Sequence, residues 1–179
     1  MTTALLIIDV QRGLCSGEYE VFESRRVVQR INQVAGLARQ SKLPVVVIQH
    51  EEPGSPMAHG STGWQLDSDL QVQPSDTYIR KTTPDSFHNT GLLAELQARG
   101  IKDLVICGLQ TEFCLDTTTR RALALGFAVT LVADAHSTLD NGVLSAAQII
   151  AHHNETLGHM DSFGPRVAVV PAAEVCFGV

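Results

Sequence analysis

The chain has 179 residues, of which 44% are hydrophobic and 18% are charged, and its formal net charge at pH 7 is −6. This length is typical of one globular domain, so we expect a single domain over residues 1–179. The acidic balance and the lack of Lys/Arg runs argue against nucleic acid or a membrane surface as a partner. No apolar stretch approaches the ~20 residues of a membrane-spanning helix.

The N-terminus and the cysteines favour a cytoplasmic location. Residues 1–3 lead directly into an apolar run, without the positively charged region of a signal peptide. The cysteines form no CxxC pair and have no metal-type spacing with histidine. We therefore expect free thiols in a reducing cytoplasm. The four cysteines are Cys15, Cys107, Cys114 and Cys176.

Short apolar runs alternate with amphipathic segments along the chain, which predicts β-α-β units. The runs predict strands at 5–8, 45–48, 77–81, 104–107, 127–132 and 167–170. Apolar residues at helical spacing predict helices over 27–38, 92–96, 114–125 and 143–151. The segment 51–76 is rich in Gly and Pro and is expected to be a long, functional loop. The predicted fold is a three-layer α/β/α, Rossmann-like sandwich with a six-stranded, mostly parallel sheet.

Three reactive side chains stand at the ends of predicted strands. Asp9 follows the first strand, Lys81 ends the third, and Cys114 starts the helix after the fourth. Ligands of open parallel sheets bind beyond the carboxyl ends of the strands, so these residues are expected to meet. Singly, each has an ordinary interpretation as a turn-capping Asp, a solvated Lys or a buried Cys. Their common placement favours a functional site.

Together, the three groups suit nucleophilic catalysis. A thiol is a weak nucleophile until it ionises. A helix N-terminus and the Lys81 ammonium group would both favour the thiolate of Cys114. Asp9 could accept the thiol proton and return it to a leaving amine, as a general base and then an acid. The residues therefore indicate a cysteine hydrolase.

Several motifs occur in a fixed order along nearly the whole chain. They are Leu-Ile-Ile-Asp-Val-Gln at 6–11, Gly-Trp at 63–64, Lys-Thr-Thr-Pro-Asp-Ser-Phe at 81–87, Cys-Gly-Leu-Gln-Thr-Glu-Phe-Cys at 107–114, and Asp-Ala at 134–135. This set resembles the isochorismatase-like cysteine hydrolases, the superfamily that includes nicotinamidases. The resemblance implies the α/β fold predicted above and a homodimer or homotetramer.

The resemblance also implies a mechanism. Asp9, Lys81 and Cys114 would form the catalytic triad, and the peptide bond between Leu109 and Gln110 would be cis. The backbone N–H groups of Gln110 and Cys114 would form an oxyanion hole. The implied reaction is hydrolysis of an amide-type C–N bond of a small molecule through a thioester. Relatives that cleave the ether bond of isochorismate lack the cysteine, so Cys114 favours C–N hydrolysis.

We expect neither a cofactor nor a metal ion. Nicotinamidases carry an Asp-x-His metal motif after the second strand, whereas this chain reads Gln-His-Glu-Glu-Pro at 49–53. By residue type, His50, Glu52 and His59 form an alternative metal set. The simpler interpretation of His50 is a hydrogen-bonded polar residue at a strand end.

The substrate pocket is expected to have apolar walls with a few polar groups, as suits a small organic ligand. The residues expected to line it are Gln11, Leu14, Trp64 and Phe87. Two other functions stay open on the same scaffold: a non-catalytic small-molecule-binding protein and an isochorismate-type ether hydrolase. A third is thiol redox chemistry between Cys107 and Cys114.

Overall fold

A single six-stranded sheet forms the centre of the computed structural model, which describes residues 2–164 and 167–177. The strand order is β3-β2-β1-β4-β5-β6, and every neighbouring pair is parallel. The strands are β1 Thr3–Ile8, β2 Val45–His50, β3 Thr77–Lys81, β4 Asp103–Leu109, β5 Ala128–Ser137 and β6 Val167–Val170. The sequence predicts a mostly parallel sheet, and these six strands confirm that expectation.

Helices cover both faces of the sheet. The α-helices are α1 Arg12–Cys15, α2 Ser24–Gln40, α3 Leu92–Ala98, α4 Asp116–Ala124 and α5 Ala146–Gly158. A π-helical turn, Thr111–Leu115, precedes α4, and a 3₁₀ turn, Ala172–Glu174, follows β6. No helix within the described ranges has both the length and the apolar character needed to cross a bilayer.

Two hydrophobic cores result from the alternation of side chains along the strands. On β1, Leu5 and Ile7 point into the core beneath α2, whereas Leu6 and Ile8 point into the core beneath α3, α4 and α5. All four side chains are fully buried, as expected for a parallel sheet covered on both faces. The predicted three-layer α/β/α sandwich is therefore confirmed.

β5 and α5 depart furthest from their predicted bounds. β5 continues to Ser137, five residues beyond the predicted end, because a register shift in β4 lets the polar residues from His136 onward pair with it. α5 starts at Ala146 rather than at 143. The Ser145 hydroxyl accepts a hydrogen bond from the Gln148 N–H in a capping box, which fixes that start. Val143 is outside the helix and 87% exposed.

The helix predicted to start at Cys114 also differs. Cys114 lies within the π-helical turn, and regular α-helix begins only at Asp116. Such turns have wider hydrogen-bonded rings than an α-helix and frequently occur at functional sites. The four cysteines are unpaired, as predicted. Cys107 and Cys114 contact opposite cores, which separates them and weighs against the redox alternative.

Candidate active site

Three adjacent strands end at the same edge of the sheet, and each delivers one polar side chain there. Asp9 follows β1, His50 ends β2, and Lys81 ends β3. His50 and Lys81 are direct partners in the parallel ladder. Cys114 reaches the same place from the π-helical turn after β4, the strand on the other side of β1. The strand order thus brings together residues that are up to 105 positions apart in the sequence.

The Lys81 ammonium group lies at the centre of this cluster. Its Nζ donates to Asp9 Oδ2 at 2.6 Å and to Cys114 Sγ at 3.1 Å, and it lies 3.5 Å from His50 Nδ1. Lys81 is 2% exposed and Asp9 is 1% exposed. The structure therefore joins the three residues expected from the sequence, and it adds His50 to them.

The charges of Lys81 and His50 follow from these contacts. Burial by itself would lower the pKa of Lys81, but the Asp9 carboxylate and the Cys114 sulfur outweigh it and raise the pKa above its usual value. Lys81 therefore remains an ammonium ion. Burial, and then the charge of Lys81, lower the pKa of His50. His50 is accordingly neutral near pH 7, and its Nδ1 can accept a hydrogen bond from Lys81.

The Cys114 thiol does not behave as the sequence analysis expected. Burial and the adjacent Asp9 carboxylate raise its pKa to about 12, although Lys81 acts in the opposite direction. A free thiolate is therefore not the resting form near neutral pH. Asp9 Oδ1 is buried and has no hydrogen-bond partner among the described residues, and the carboxylate lies within 4.8 Å of Sγ. This oxygen is placed to accept the thiol proton when Sγ reacts.

The backbone before Cys114 is held in an unusual shape. The peptide bond between Leu109 and Gln110 is cis. The Gln110 carbonyl accepts hydrogen bonds from the N–H groups of Phe113 and Leu115, both at 3.2 Å, which ties the turn to the end of β4. These contacts set the position of the Cys114 sulfur and of the backbone N–H groups around it.

Gly108 permits the close approach of β4 to β1 beneath the site. Its φ is +124°, and a Cβ atom there would lie 2.1 Å from the carbonyl oxygen of Ile8. No side chain fits such a gap, so glycine is required at this position. Asp9 directly follows β1, and the turn that contains Cys114 begins two residues after β4, so the approach of the two strands contributes to the separation of Asp9 and Cys114.

The metal alternative inferred from residue types is not the grouping that the fold produces. Within the described ranges, the one group of three potential ligands is Asp9, His50 and Cys114, with neither Glu52 nor His59. The Lys81 ammonium group already contacts all three. A divalent cation would have to displace this internal cation, so the residues do not fit a metal centre.

Gln11, expected in the pocket wall, links the end of β2 to the long loop through hydrogen bonds to His50 and Trp64. Its side chain is fully buried. Its Nε2 donates to the carbonyl oxygens of His50 and Trp64, and its Oε1 accepts from the His50 N–H at 2.8 Å. The whole amide is used in holding the end of β2 against the long loop. It therefore presents no free polar group to a ligand.

The other three expected pocket residues have different surroundings. Leu14 packs against the core beneath α2, on the opposite face from the core that Cys114 contacts. Phe87 is buried and stacks on Phe127 with ring centroids 5.9 Å apart, so it supports the core beneath the nucleophile. Trp64 is half-buried, and its Nε1 has no hydrogen-bond partner in the described structure. That nitrogen is itself buried, so Trp64 has an unpaired polar atom but does not present it at the surface.

The sequence does not group His50 with Asp9, Lys81 and Cys114, because the simpler interpretation is an ordinary polar residue at a strand end. The signal that would have included it is its place on β2, the strand between those that carry Asp9 and Lys81. A polar residue at the carboxyl end of that strand is therefore a candidate member of the site.

Comparison with known proteins places this geometry in a family. Residues 3–160 match the isochorismatase domain. The chain is 36% identical over 176 residues to a streptothricin hydrolase of Streptomyces noursei, covering 94% of this chain and 64% of that protein. This chain therefore spans somewhat less than two thirds of that relative's length. The chain belongs to the isochorismatase family of hydrolases.

Two further comparisons concern activity and fold. A ureidoacrylate amidohydrolase of Stutzerimonas stutzeri is 27% identical over 214 residues, covering 97% of this chain and 86% of that protein. The crystal structure of an isochorismatase from Pseudomonas putida KT2440 superposes with a TM-score of 0.90 at 28% identity, covering 98% of this chain and 90% of that one. Both alignments include nearly all of the sheet that carries the site.

Proposed function

We propose that the chain hydrolyses an amide-type C–N bond of a small molecule, with Cys114 as nucleophile and a thioester as intermediate. The observation that carries the proposal is the buried contact of Lys81 with both Asp9 and Cys114. A buried acid, a buried cation and a reactive sulfur in contact are costly to assemble without a chemical purpose. The names of two relatives, a streptothricin hydrolase and a ureidoacrylate amidohydrolase, support an amide-type substrate.

The first half of the reaction forms the thioester. Sγ of Cys114 attacks the substrate carbonyl carbon while its proton passes to Asp9 Oδ1, so a neutral thiol reacts without prior ionisation. The carbonyl oxygen becomes an oxyanion, which we place against the backbone N–H groups of Gln110 and Cys114. Asp9 then donates its proton to the leaving nitrogen. The C–N bond breaks, and an amine or ammonia departs.

The second half returns the enzyme to its starting state. Asp9, again a carboxylate, takes a proton from a water molecule as that water attacks the thioester carbon. The same two N–H groups hold the second oxyanion. Its collapse breaks the C–S bond, and the sulfur recovers the proton from Asp9, which leaves the carboxylic acid product. Lys81 remains protonated throughout, since its role is to hold Asp9 and Sγ together and to stabilise negative charge.

A substrate panel tests the proposal. It would contain streptothricin, ureidoacrylate, simple primary amides and ureido compounds, followed by ammonia release or by the mass gain of one water. We expect turnover of at least one compound, and we expect Cys114→Ala to lower it by at least about 10³-fold. Cys176→Ala is the matched control, because that cysteine is exposed and lies outside the site. Full activity of Cys114→Ala, or no turnover across the panel, would contradict the proposal.

A further inference from the structure

A hydrogen-bonded network of three polar side chains leads away from the π-helical turn that contains Cys114; Thr111 and His136 are buried and Asn154 is partly buried. Thr111, the first residue of that turn, has its Oγ1 2.9 Å from His136 Nδ1. The other ring nitrogen, His136 Nε2, lies 3.0 Å from Asn154 Oδ1. Asn154 Nδ2 in turn donates to the Ala133 carbonyl at 2.9 Å. This network thus connects the turn to β5 and to α5.

The donor and acceptor of each hydrogen bond in this network follow from the bond between Asn154 and the Ala133 carbonyl. The Ala133 carbonyl only accepts, so the Asn154 amide must point its NH₂ group there and its Oδ1 toward His136. Asn154 Oδ1 also only accepts, so His136 must carry its proton on Nε2. The bare Nδ1 is then an acceptor, and the Thr111 hydroxyl donates to it. One tautomer of His136 satisfies all three links.

Burial keeps His136 in this neutral form. The side chain is 1% exposed, and Thr111 is fully buried. Burial lowers the pKa of His136 to about 4; the Asn154 contact opposes this shift, and the charges of His153 and Asp134 add smaller effects of opposite sign. Protonation of Nδ1 would remove the acceptor that Thr111 uses. The hydrogen-bonded network of Thr111, His136 and Asn154 is therefore intact at neutral pH.

Thr111 is well placed to pass this restraint to the site. It directly follows Gln110, whose N–H belongs to the cis peptide bond, and it opens the five-residue turn that contains Cys114. The Asp116 N–H donates to the Thr111 carbonyl at the end of that turn. A shift of Thr111 would move the sulfur relative to Lys81 and Asp9. Small misplacements of this kind cost large factors in rate.

We infer that His136 is a positioning residue: as the Nε2–H tautomer it holds Thr111, and so fixes the turn that aims Cys114 at Asp9 and Lys81. The inference rests on the proposed function, because it assumes that Cys114 is the nucleophile. His136 itself does not touch substrate, and it acts only through Thr111. Nothing in the motifs at 107–114 or at 134–135 requires this pairing, which the fold creates between β5 and the turn.

Two pairs of variants separate positioning from packing. Thr111→Val keeps the shape and loses the hydroxyl, whereas Thr111→Ser keeps the hydroxyl. His136→Asn can place an amide oxygen near the position of Nδ1, whereas His136→Gln can reach only the position of Nε2. The control is Thr119→Val, because Thr119 is fully buried and its hydroxyl has no hydrogen-bond partner in the described ranges.

The readout is the rate at which iodoacetamide alkylates Cys114, mapped by peptide mass and measured beside the melting temperature. We expect Thr111→Val and His136→Gln to slow alkylation by at least about fivefold. Thr111→Ser, His136→Asn and Thr119→Val should stay within about twofold of the wild type, given intact positioning. On any substrate found in the panel, Thr111→Val and His136→Gln should lower kcat and leave KM nearly unchanged, because the ground-state contacts are kept.

The outcomes distinguish this inference from the function on which it rests. If Cys114 is alkylated as fast in Thr111→Val as in Thr119→Val, the positioning role is wrong, and the role of Cys114 as nucleophile is unaffected. If both His136 variants slow alkylation equally, the role of the Nδ1 acceptor is wrong. If Thr111→Val does not fold, the His136 pair decides. If wild-type Cys114 is inert and Cys114→Ala still turns over substrate, the proposed function fails, and the inference fails with it.

Discussion

Lys81 and Arg80 are neighbours on β3 with opposite environments. Lys81 is buried against Asp9, whereas Arg80 pairs with Glu51 at the surface. Lys81→Met would leave the Asp9 carboxylate buried without its cation, and we expect a loss of about 3–5 kcal/mol in the free energy of unfolding. Arg80→Met should change stability little, because exposed ion pairs contribute little. Urea denaturation near neutral pH measures both.

A double variant provides the internal check. In Asp9→Asn/Lys81→Met the uncompensated charge is gone, so the protein should regain part of the stability lost in Lys81→Met. A double variant no more stable than Lys81→Met would show that the cost came from packing rather than from the unpaired charge.

Asp9 has two effects on Cys114 that a single substitution separates. Its charge raises the pKa of the thiol, and its free oxygen is the proton acceptor. Asp9→Asn should therefore lower the pKa of Cys114 below about 12, because Lys81 continues to favour the thiolate. Turnover should nevertheless be lost, because the proton has no acceptor and the leaving amine no donor. A more acidic thiol in an inactive enzyme is the expected combination.

Thiolate absorbance against pH measures this shift in a Cys176→Ala background, which removes the exposed cysteine. Burial also raises the pKa of Cys15 to about 12 and raises that of Cys107. The signal of Cys114 is therefore taken as the difference from the same protein with Cys114→Ala. Asp69→Asn, at the surface, is the control and should leave the titration unchanged. An active Asp9→Asn variant would show that a preformed ion pair, and not base-assisted attack, drives the reaction.

At the scale of the elements, the spacing of β1 and β4 sets the width of the site. Gly108→Ala would place a methyl group against the Ile8 carbonyl and strain a backbone with positive φ. We expect a loss of at least about 2 kcal/mol in stability, together with reduced alkylation of Cys114. Gly36→Ala in α2 is the matched control. No atom outside the adjacent helix backbone lies within 4 Å of its added Cβ, and alanine there should stabilise the helix by about 0.5–1 kcal/mol.

Thermal or urea unfolding of the two glycine variants decides the point. If Gly108→Ala were as stable and as reactive as the wild type, β1 and β4 would be free to separate, and the close approach would not fix the site. If Gly36→Ala were strongly destabilised, general sensitivity of the sheet to glycine replacement would explain both results.

For the whole molecule, buried His136 links stability to pH. Its pKa is about 4 in the folded state, against 6.5 when unperturbed. Between these values the unfolded chain binds a proton that the folded chain does not. His136 therefore contributes stability that is complete above pH 6.5 and declines as the pH falls toward 4. The loss should reach about 3 kcal/mol.

Comparison with His136→Asn isolates this contribution from the carboxylates that also titrate in acid. The variant has no group to protonate at this position, so its unfolding free energy should fall less than that of the wild type over the same range. Urea unfolding at several pH values measures the difference. If the unfolding free energies of the two proteins fell in parallel as the pH was lowered, His136 would have the same pKa in the folded and the unfolded chain.

The sequence is sufficient to predict the architecture and the spatial grouping of Asp9, Lys81 and Cys114, for one physical reason. Parallel strands have apolar runs that can be recognised locally, and their carboxyl ends share an edge, so strand order along the chain is enough to group Asp9, Lys81 and Cys114. The hydrogen bonds between polar side chains of distant segments cannot be predicted from the sequence in this way. Gln11 with Trp64 and Thr111 with His136 depend on hydrogen bonds between distant segments.

The same distinction applies to the chemistry and to the walls of the site. Lys81 and a helix N-terminus predict a thiolate at Cys114. The pKa of that thiol is raised first by burial and then by the nearby Asp9 carboxylate, and a sequence contains neither the burial nor the distance. Leu14 and Phe87 stay predicted pocket residues, and the structure shows that each also packs against one of the two hydrophobic cores. The single domain and the homodimer or homotetramer stay predictions.

The central claim is that Cys114 becomes covalently bonded to the acyl part of the substrate during turnover. The most direct measurement is acid quenching of the enzyme during turnover of the best panel compound, followed by mass analysis of the peptide that contains residue 114. We expect a mass increase equal to the acyl group on Cys114, lost on incubation with hydroxylamine and absent from Cys114→Ala. Steady turnover with Cys114 unmodified at every quench time, and retained in Cys114→Ala, would contradict the account.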